Sequence, residues 1–150
     1  MSRMYVASGD VSSGTAVLDI WQLTAPAAKV VVLHRLSLTQ SDTETDEAFA
    51  IALSRATTPG ATGGTAITAQ QIDPGDTAVA ATVHEAYTTP AGTKTVLYNW
   101  GVSALAGFEH IWTPEERPIL GGSDIAVLEI TSALTAAVTL EWSVTFEEIG

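Results

Sequence analysis

The chain has 150 residues, a length typical of a single domain that can bury a sizeable core. Its formal net charge is −11, and its six Lys and Arg residues are scattered. Binding to nucleic acid or to an anionic membrane requires clustered positive charge, so we expect neither partner. Without Cys, disulfides and cysteine-ligated metals are excluded. No apolar run approaches the roughly 20 residues of a membrane span, and the first residues lack the apolar stretch of a signal peptide, which predicts synthesis in the cytoplasm.

Four segments with the character of β-strands precede Arg55. They are "RMYVAS", "AVLDIWQL", "KVVVLHRLSLTQ" and "AFAIALSR". In "AVLDIWQL" either face could be the inward one. In "AFAIALSR" large apolar residues alternate with Ala and Ser, and a face of such small apolar residues suggests a sheet that is covered on both sides.

Residues 56–95 form a long stretch rich in Gly, Thr and Ala, with little periodicity. Loops of this length in compact domains are usually functional or disordered. The part "TAVAATVHEA" could form one or two helical turns. Because Ile67, Ile72, Val79 and Val83 are spaced along the stretch, it is too apolar for a free linker. We therefore predict an arm that packs on its own domain or, preferentially, on a neighbouring subunit.

The strand pattern resumes after residue 95 with "TVLYNW", "FEHIW", "IAVLEI" and "AVTLEWSVTFEE". The last segment has the clearest two-residue period and predicts one inward-facing row: Val138, Leu140, Trp142, Val144 and Phe146. Short strands separated by Gly/Pro turns, without a sustained helical stripe, predict an all-β fold. The prediction is a single domain over residues 1–150, an antiparallel β-sandwich resembling a jelly roll, with the arm inserted at about residues 56–95.

Three patterns invite a chemical interpretation. "TPGATGGT" lacks the Lys-Ser/Thr pair of a phosphate loop. In "DTETDE", Asp42, Glu44 and Asp46 have the spacing of a calcium loop, but Glu47 stands where that loop needs Gly. "DPGD", which begins at Asp73, is foremost a turn sequence. A solvated acidic hairpin is favoured over a bound cation, which stays open as an alternative.

The histidines do not form a recognisable catalytic pair. His84 is followed by Glu85, and His110 is preceded by Glu109, but neighbouring residues of a strand point to opposite faces. His34 has no such neighbour. No nucleophile or metal motif is present. We expect no catalytic residues, no cofactor and no metal, and we expect that the protein is not an enzyme.

The tryptophans divide into two pairs. Trp21 and Trp142 occupy core positions of their strands. Trp100 and Trp112 lie near strand ends, where exposed rings could contact a protein partner or stack on a sugar. No acidic pair or amide cluster accompanies them, so a protein contact is favoured.

Four phrases occur together in order: "LTAPAAKVV" (residues 23–31), "IDPGD" (72–76), "TPEERP" (113–118) and the final "FEEIG". With the Gly/Thr-rich middle, they resemble a family of small proteins encoded by tailed-bacteriophage and prophage genomes. The resemblance covers most of the chain and implies a virion context. It carries over no catalytic residue.

From this resemblance and the acidic, motif-poor chain we infer a structural virion protein. We expect a capsid decoration (cement) protein on the virion surface, where it would bind the major capsid protein and itself as a homotrimer. The alternatives are a tail or head–tail component, or a β-sandwich module that binds a carbohydrate or receptor. The candidate interface residues are Ile67, Ile72, Val79, Val83, Trp100 and Trp112.

Overall fold

The computed structural model describes residues 2–13, 18–41 and 46–150. This part of the chain contains twelve β-strands and no helix, hence none able to cross a membrane. The strands are β1 (Ser2–Ser12), β2 (Asp19–Thr24), β3 (Val30–Gln40), β4 (Ala48–Ala56), β5 (Gly63–Ile67), β6 (Gln70–Gln71), β7 (Thr82–Tyr87), β8 (Lys94–Ser103), β9 (Phe108–Ile111), β10 (Ile119–Leu120), β11 (Ile125–Ile130) and β12 (Thr139–Ile149).

The strands form two antiparallel sheets that pack face to face. Sheet A has the order β10-β3-β12-β1-β6, with β9 paired to the remaining part of β3. Sheet B has the order β5-β7-β2-β11-β4-β8. Strands β1 to β4 alternate between the two sheets. Strand β12 lies between β1 and β3 in sheet A, and β11 lies between β2 and β4 in sheet B. The paths β1-β12-β3-β9 and β2-β11-β4-β8 have the strand order of a jelly roll. The predicted antiparallel β-sandwich is confirmed.

The core lies between the sheets and is built by the predicted alternation. All five inward residues predicted for the last strand, from Val138 to Phe146, are buried. Trp21 on sheet B lies 6.3 Å from Trp142 on sheet A, measured between ring centroids. Tyr5 and Phe146 stack on neighbouring strands with ring centroids 5.7 Å apart. The prediction of Trp21 and Trp142 as core residues is therefore confirmed.

The arm contributes to both sheets at one side of the sandwich. Strand β7 pairs with β2 and β5 pairs with β7, whereas β6 pairs with β1 in the opposite sheet. The helical turns considered for "TAVAATVHEA" are wrong. The second half of this segment forms β7, which begins at Thr82 and pairs with the edge of β2 that β11 does not occupy. Val83 and Glu85 then point inward. The arm packs on its own sandwich, and an additional contact with a neighbour stays a prediction.

Two crossings of the arm, residues 57–62 and 88–93, cover the outer face of sheet B. The Gly60 amide donates to Gln22 Oε1 at 3.0 Å, and the Ala91 amide donates to Asp19 Oδ2 at 2.7 Å. A Cβ on Gly60 would lie 2.4 Å from the Tyr87 ring, so only Gly allows this close approach. The crossings explain why β11 is buried along its whole length. They also cover part of the small-residue face of β4, as its sequence suggested.

Candidate functional site

The side of the sandwich opposite the arm is closed by aromatic rings. Strands β8 and β9 are edge strands of sheets B and A, and they come next to each other on this side. Their two-residue period turns five aromatic side chains toward each other. We call these five residues the aromatic seam: Tyr98, Trp100, Phe108, His110 and Trp112.

The rings of the aromatic seam form a continuous contact chain. Tyr98 and Trp100 stack at 5.5 Å with an interplanar angle of 6°. Trp100 also lies 5.1 Å from both Phe108 and His110, and His110 meets Trp112 edge-on at 4.9 Å. Such contacts contribute roughly 0.5–1.5 kcal/mol per pair beyond the area that they bury. The seam therefore fixes β8 and β9 against each other while four of its rings keep partial exposure.

Several exposed apolar side chains lie on the same side of the sandwich as the aromatic seam. Six large hydrophobic side chains in the described part of the chain are exposed, and four belong to β8, β9, β10 or the loop after β8: Val96, Leu105, Ile111 and Ile119. The charged groups nearby include Arg35 and Glu109, which form an exposed ion pair at 2.5 Å. Because neighbouring residues of a strand point to opposite faces, Ile111 points away from the rings of His110 and Trp112. Exposed apolar side chains on edge strands still favour a protein contact on this side of the sandwich.

The arrangement does not favour a sugar site. A sugar stacks on a free aromatic face, but the Trp100 ring already contacts Tyr98, Phe108 and His110. The Tyr98 hydroxyl is also engaged, since it donates to the Glu116 carbonyl at 2.9 Å.

The six predicted interface residues fall into two separate groups. Ile67, Ile72, Val79 and Val83 belong to the arm, whereas Trp100 and Trp112 belong to the aromatic seam on the other side. Val83 and Trp112 are each only 2% exposed, because they pack inside their own domain. The interpretation of Trp112 as an exposed ring is wrong for this reason. Ile72 is 55% exposed, and Ile67, Val79 and Trp100 are half-buried.

The acidic clusters do not assemble a metal site within the described residues, where no group of three potential ligands occurs. Asp42 and Glu44 lie outside those residues. Asp46 accepts a hydrogen bond from the Ser103 hydroxyl at 2.7 Å. In the "DPGD" turn, Asp73 accepts from the Gly75 amide at 2.9 Å, and Asp76 pairs with Arg3 at 3.6 Å. The carboxylates of Asp73 and Asp76 thus stabilise the turn and its contact with β1.

The histidines are also engaged separately. His34 Nε2 lies 2.9 Å from Glu147 Oε2 on the neighbouring strand. His84 packs 6.0 Å from the Tyr87 ring, while the adjacent Glu85 points inward. The expected separation of His84 and Glu85 onto opposite faces is confirmed.

Sequence reasoning missed five buried carboxylates: Asp19, Glu47, Glu85, Glu129 and Glu148. Glu85 accepts from the Trp142 indole nitrogen at 2.8 Å. Burial raises the pKa of Glu85, and the nearby Asp10 charge adds to this, although the Trp142 hydrogen bond acts against it. Glu47 accepts from the Thr135 hydroxyl and the Ala136 amide, and these bonds lower its pKa. Two of the five, Asp19 and Glu129, could have been found from the sequence, because each is the single acidic residue of an apolar strand, "AVLDIWQL" or "IAVLEI".

No family model, curated protein or solved structure matches this chain.

Proposed function

We propose that the protein is a structural subunit of a bacteriophage virion that decorates the assembled head, where it binds the major capsid protein as a homotrimer. The observation that carries this proposal is the exposure of four large apolar side chains on or next to the edge strands of one side of the sandwich: Val96, Leu105, Ile111 and Ile119. The phage context rests on the sequence resemblance.

The charge of the chain determines how such a contact would work. With a net charge of −11 and only six Lys and Arg residues, the protein has little positive charge with which to attract a partner, and an acidic partner surface would repel it. Binding would then depend on apolar burial and would tolerate high salt. A protein that binds the assembled lattice and not the free subunit stabilises the shell by mass action.

Two exposed isoleucines provide a matched test of this surface. Ile111 on the edge strand β9 is 64% exposed, and Ile72 in the arm is 55% exposed. Both substitutions to Ser should leave stability nearly unchanged, since neither side chain is buried. We expect Ile111→Ser to weaken binding to heads that lack the protein by tenfold or more, and Ile72→Ser to bind like the wild type.

Occupancy is measured by co-sedimentation at low and high salt. Equal binding by both variants would refute the seam-side contact. Loss with Ile72→Ser alone would move the contact to the arm. A copy number of a few per virion would indicate a tail component. Oligosaccharide binding by the free chain would instead favour a receptor-binding module.

A further inference from the structure

Three ionisable side chains meet on the outer face of sheet B, beneath the arm crossings 57–62 and 88–93. The Lys94 amine nitrogen Nζ lies 2.6 Å from Asp19 Oδ1 and 2.5 Å from Glu129 Oε2. The Asp19 side chain has no exposure to solvent, and the side chains of Glu129 and Lys94 are only 11% and 15% exposed. Asp19 and Lys94 are 75 positions apart in the sequence. We call this group the Lys94 triad.

We propose that Lys94 and Asp19 condense to an intramolecular isopeptide bond, with Glu129 as the catalytic proton carrier. The protein would then contain a covalent link between β2 and the first residue of β8, made without any external enzyme.

The hydrogen bonds around Asp19 distinguish its two carboxyl oxygens. Oδ2 accepts from Gln22 Nε2 at 2.8 Å and from the Ala91 amide at 2.7 Å. Two fixed N–H donors on one oxygen stabilise the negative charge that develops there when a nucleophile attacks the carbon. Oδ1, which faces Lys94, is therefore the oxygen that leaves.

Glu129 is held in place to move protons between the reacting atoms. Its Oε1 accepts from the Ser54 hydroxyl at 2.9 Å, and this keeps Oε2 against the Lys94 nitrogen. A carboxylate within hydrogen-bond reach of a nucleophile is suitably placed to act first as general base and then as general acid.

The reaction balances within the triad. The Lys94 ammonium gives one proton to Glu129, which passes it to Oδ1 of Asp19, and the resulting amine attacks Cγ of the uncharged carboxyl group. A second nitrogen proton is lost as the Nζ–Cγ bond forms and the Cγ–Oδ1 bond breaks. Oδ1 leaves with both protons as water, Glu129 ends as the carboxylate it was, and no oxidant or reductant is needed.

Burial makes this condensation feasible. Fixed partners can have effective molarities on the order of 10⁵–10⁸ M, and a site that excludes water also opposes hydrolysis of the product. Burial lowers the pKa of Lys94, but the hydrogen bonds and charges of Asp19 and Glu129 outweigh it and leave the pKa raised. The ammonium form is thus the starting state, which is why the nearby proton acceptor is essential.

The chain contains a matched ion pair for comparison. Lys29 Nζ contacts Glu148 Oε2 at 2.9 Å, and Glu148 is buried. Among the described residues, no second carboxylate bridges this pair as Glu129 does for Lys94. We expect no condensation there.

The test is the intact mass of the folded full-length chain. The wild type should be lighter than its sequence mass by one molecule of water. A tryptic digest should contain residues 4–29 joined to the peptide in which Lys94 is uncleaved. The water loss should be absent in Lys94→Arg and Glu129→Gln, and retained in the control Lys29→Arg.

A wild-type mass equal to the full sequence mass would overturn the proposal, whether or not any variant folds. Water loss that persists in Lys94→Arg would assign it to another site. Complete water loss in Glu129→Gln would refute the role of Glu129 as proton carrier.

Discussion

Glu148 should be the residue that anchors the returning part of the arm to sheet A. Its Oε1 accepts from the Ala80 and Ala81 amides at 2.8 and 2.6 Å. Its Oε2 accepts from the Lys29 ammonium at 2.9 Å. Glu148→Ala removes all three bonds at once.

The expected loss of stability follows from what remains behind. The Ala81 amide is buried, and a buried amide without an acceptor costs about 1–3 kcal/mol. Ala80 is exposed, so its amide can bond to water and adds little. The Lys29 side chain is 23% exposed and can turn to water, so its lost ion pair adds no more than about 1 kcal/mol. We expect Glu148→Ala to lower the free energy of unfolding by about 1–4 kcal/mol. At about 2–4 °C per kcal/mol for a chain of this size, the melting temperature should fall by about 2–16 °C.

Glu148→Gln keeps an acceptor for both amides and loses only the ion pair, so it should cost about 1 kcal/mol. Glu141→Ala, at an exposed position of the same strand, should stay within about 0.5 kcal/mol of the wild type. Calorimetry gives the melting temperatures, and hydrogen exchange reports protection of the Ala80 and Ala81 amides. If Glu148→Ala melts at the same temperature as the wild type and both amides stay protected, other contacts hold the arm and Glu148 is not its anchor.

Two further predictions concern Trp142 and Glu85, which meet between the sheets. Trp142→Ala should cost about 3–5 kcal/mol in urea unfolding and Trp142→Phe clearly less; equal costs would contradict a packing role. Because burial raises the pKa of Glu85 from its ordinary 4.5, its charged form opposes folding above that pH. Glu85→Gln should therefore exceed the wild type in stability at pH 7, and the difference should shrink toward zero near pH 4, below the ordinary pKa. A pH-independent difference would refute this assignment.

The sequence predicted strands best where one face of the strand is buried and the other face is exposed. The alternation from Val138 to Phe146 specifies its strand because a one-residue slip would turn the whole row to solvent. The arm gives no such signal. Strand β6 has only two residues. It forms because its backbone pairs with Tyr5 and Val6 of β1, which lie far away in the sequence. Its pairing is a tertiary property.

For the candidate sites, too, the sequence indicates single residues but not the contacts between distant strands. Trp100 and Trp112 could be singled out by residue type, but the burial of Trp112 depends on β8 and β9 coming together at the edges of two different sheets. The Lys94 triad draws one residue from each of three strands that local sequence patterns do not connect. Asp19 within an apolar strand was the available hint, because a buried carboxylate requires partners.

The pairing of β1 with β12 constrains how the molecule can be made. All eleven residues of β1 pair with residues of β12, which begins at Thr139, and β12 also pairs with β3. In sheet B, β11 similarly lies between β2 and β4. A chain emerging from the ribosome therefore cannot complete either sheet until its last strands have been synthesised. Contacts so distant in sequence make folding slow, on the scale of milliseconds to seconds. Until then, the apolar rows of β2 and β4 stay open to aggregation, and expression should improve where chaperones hold the nascent chain.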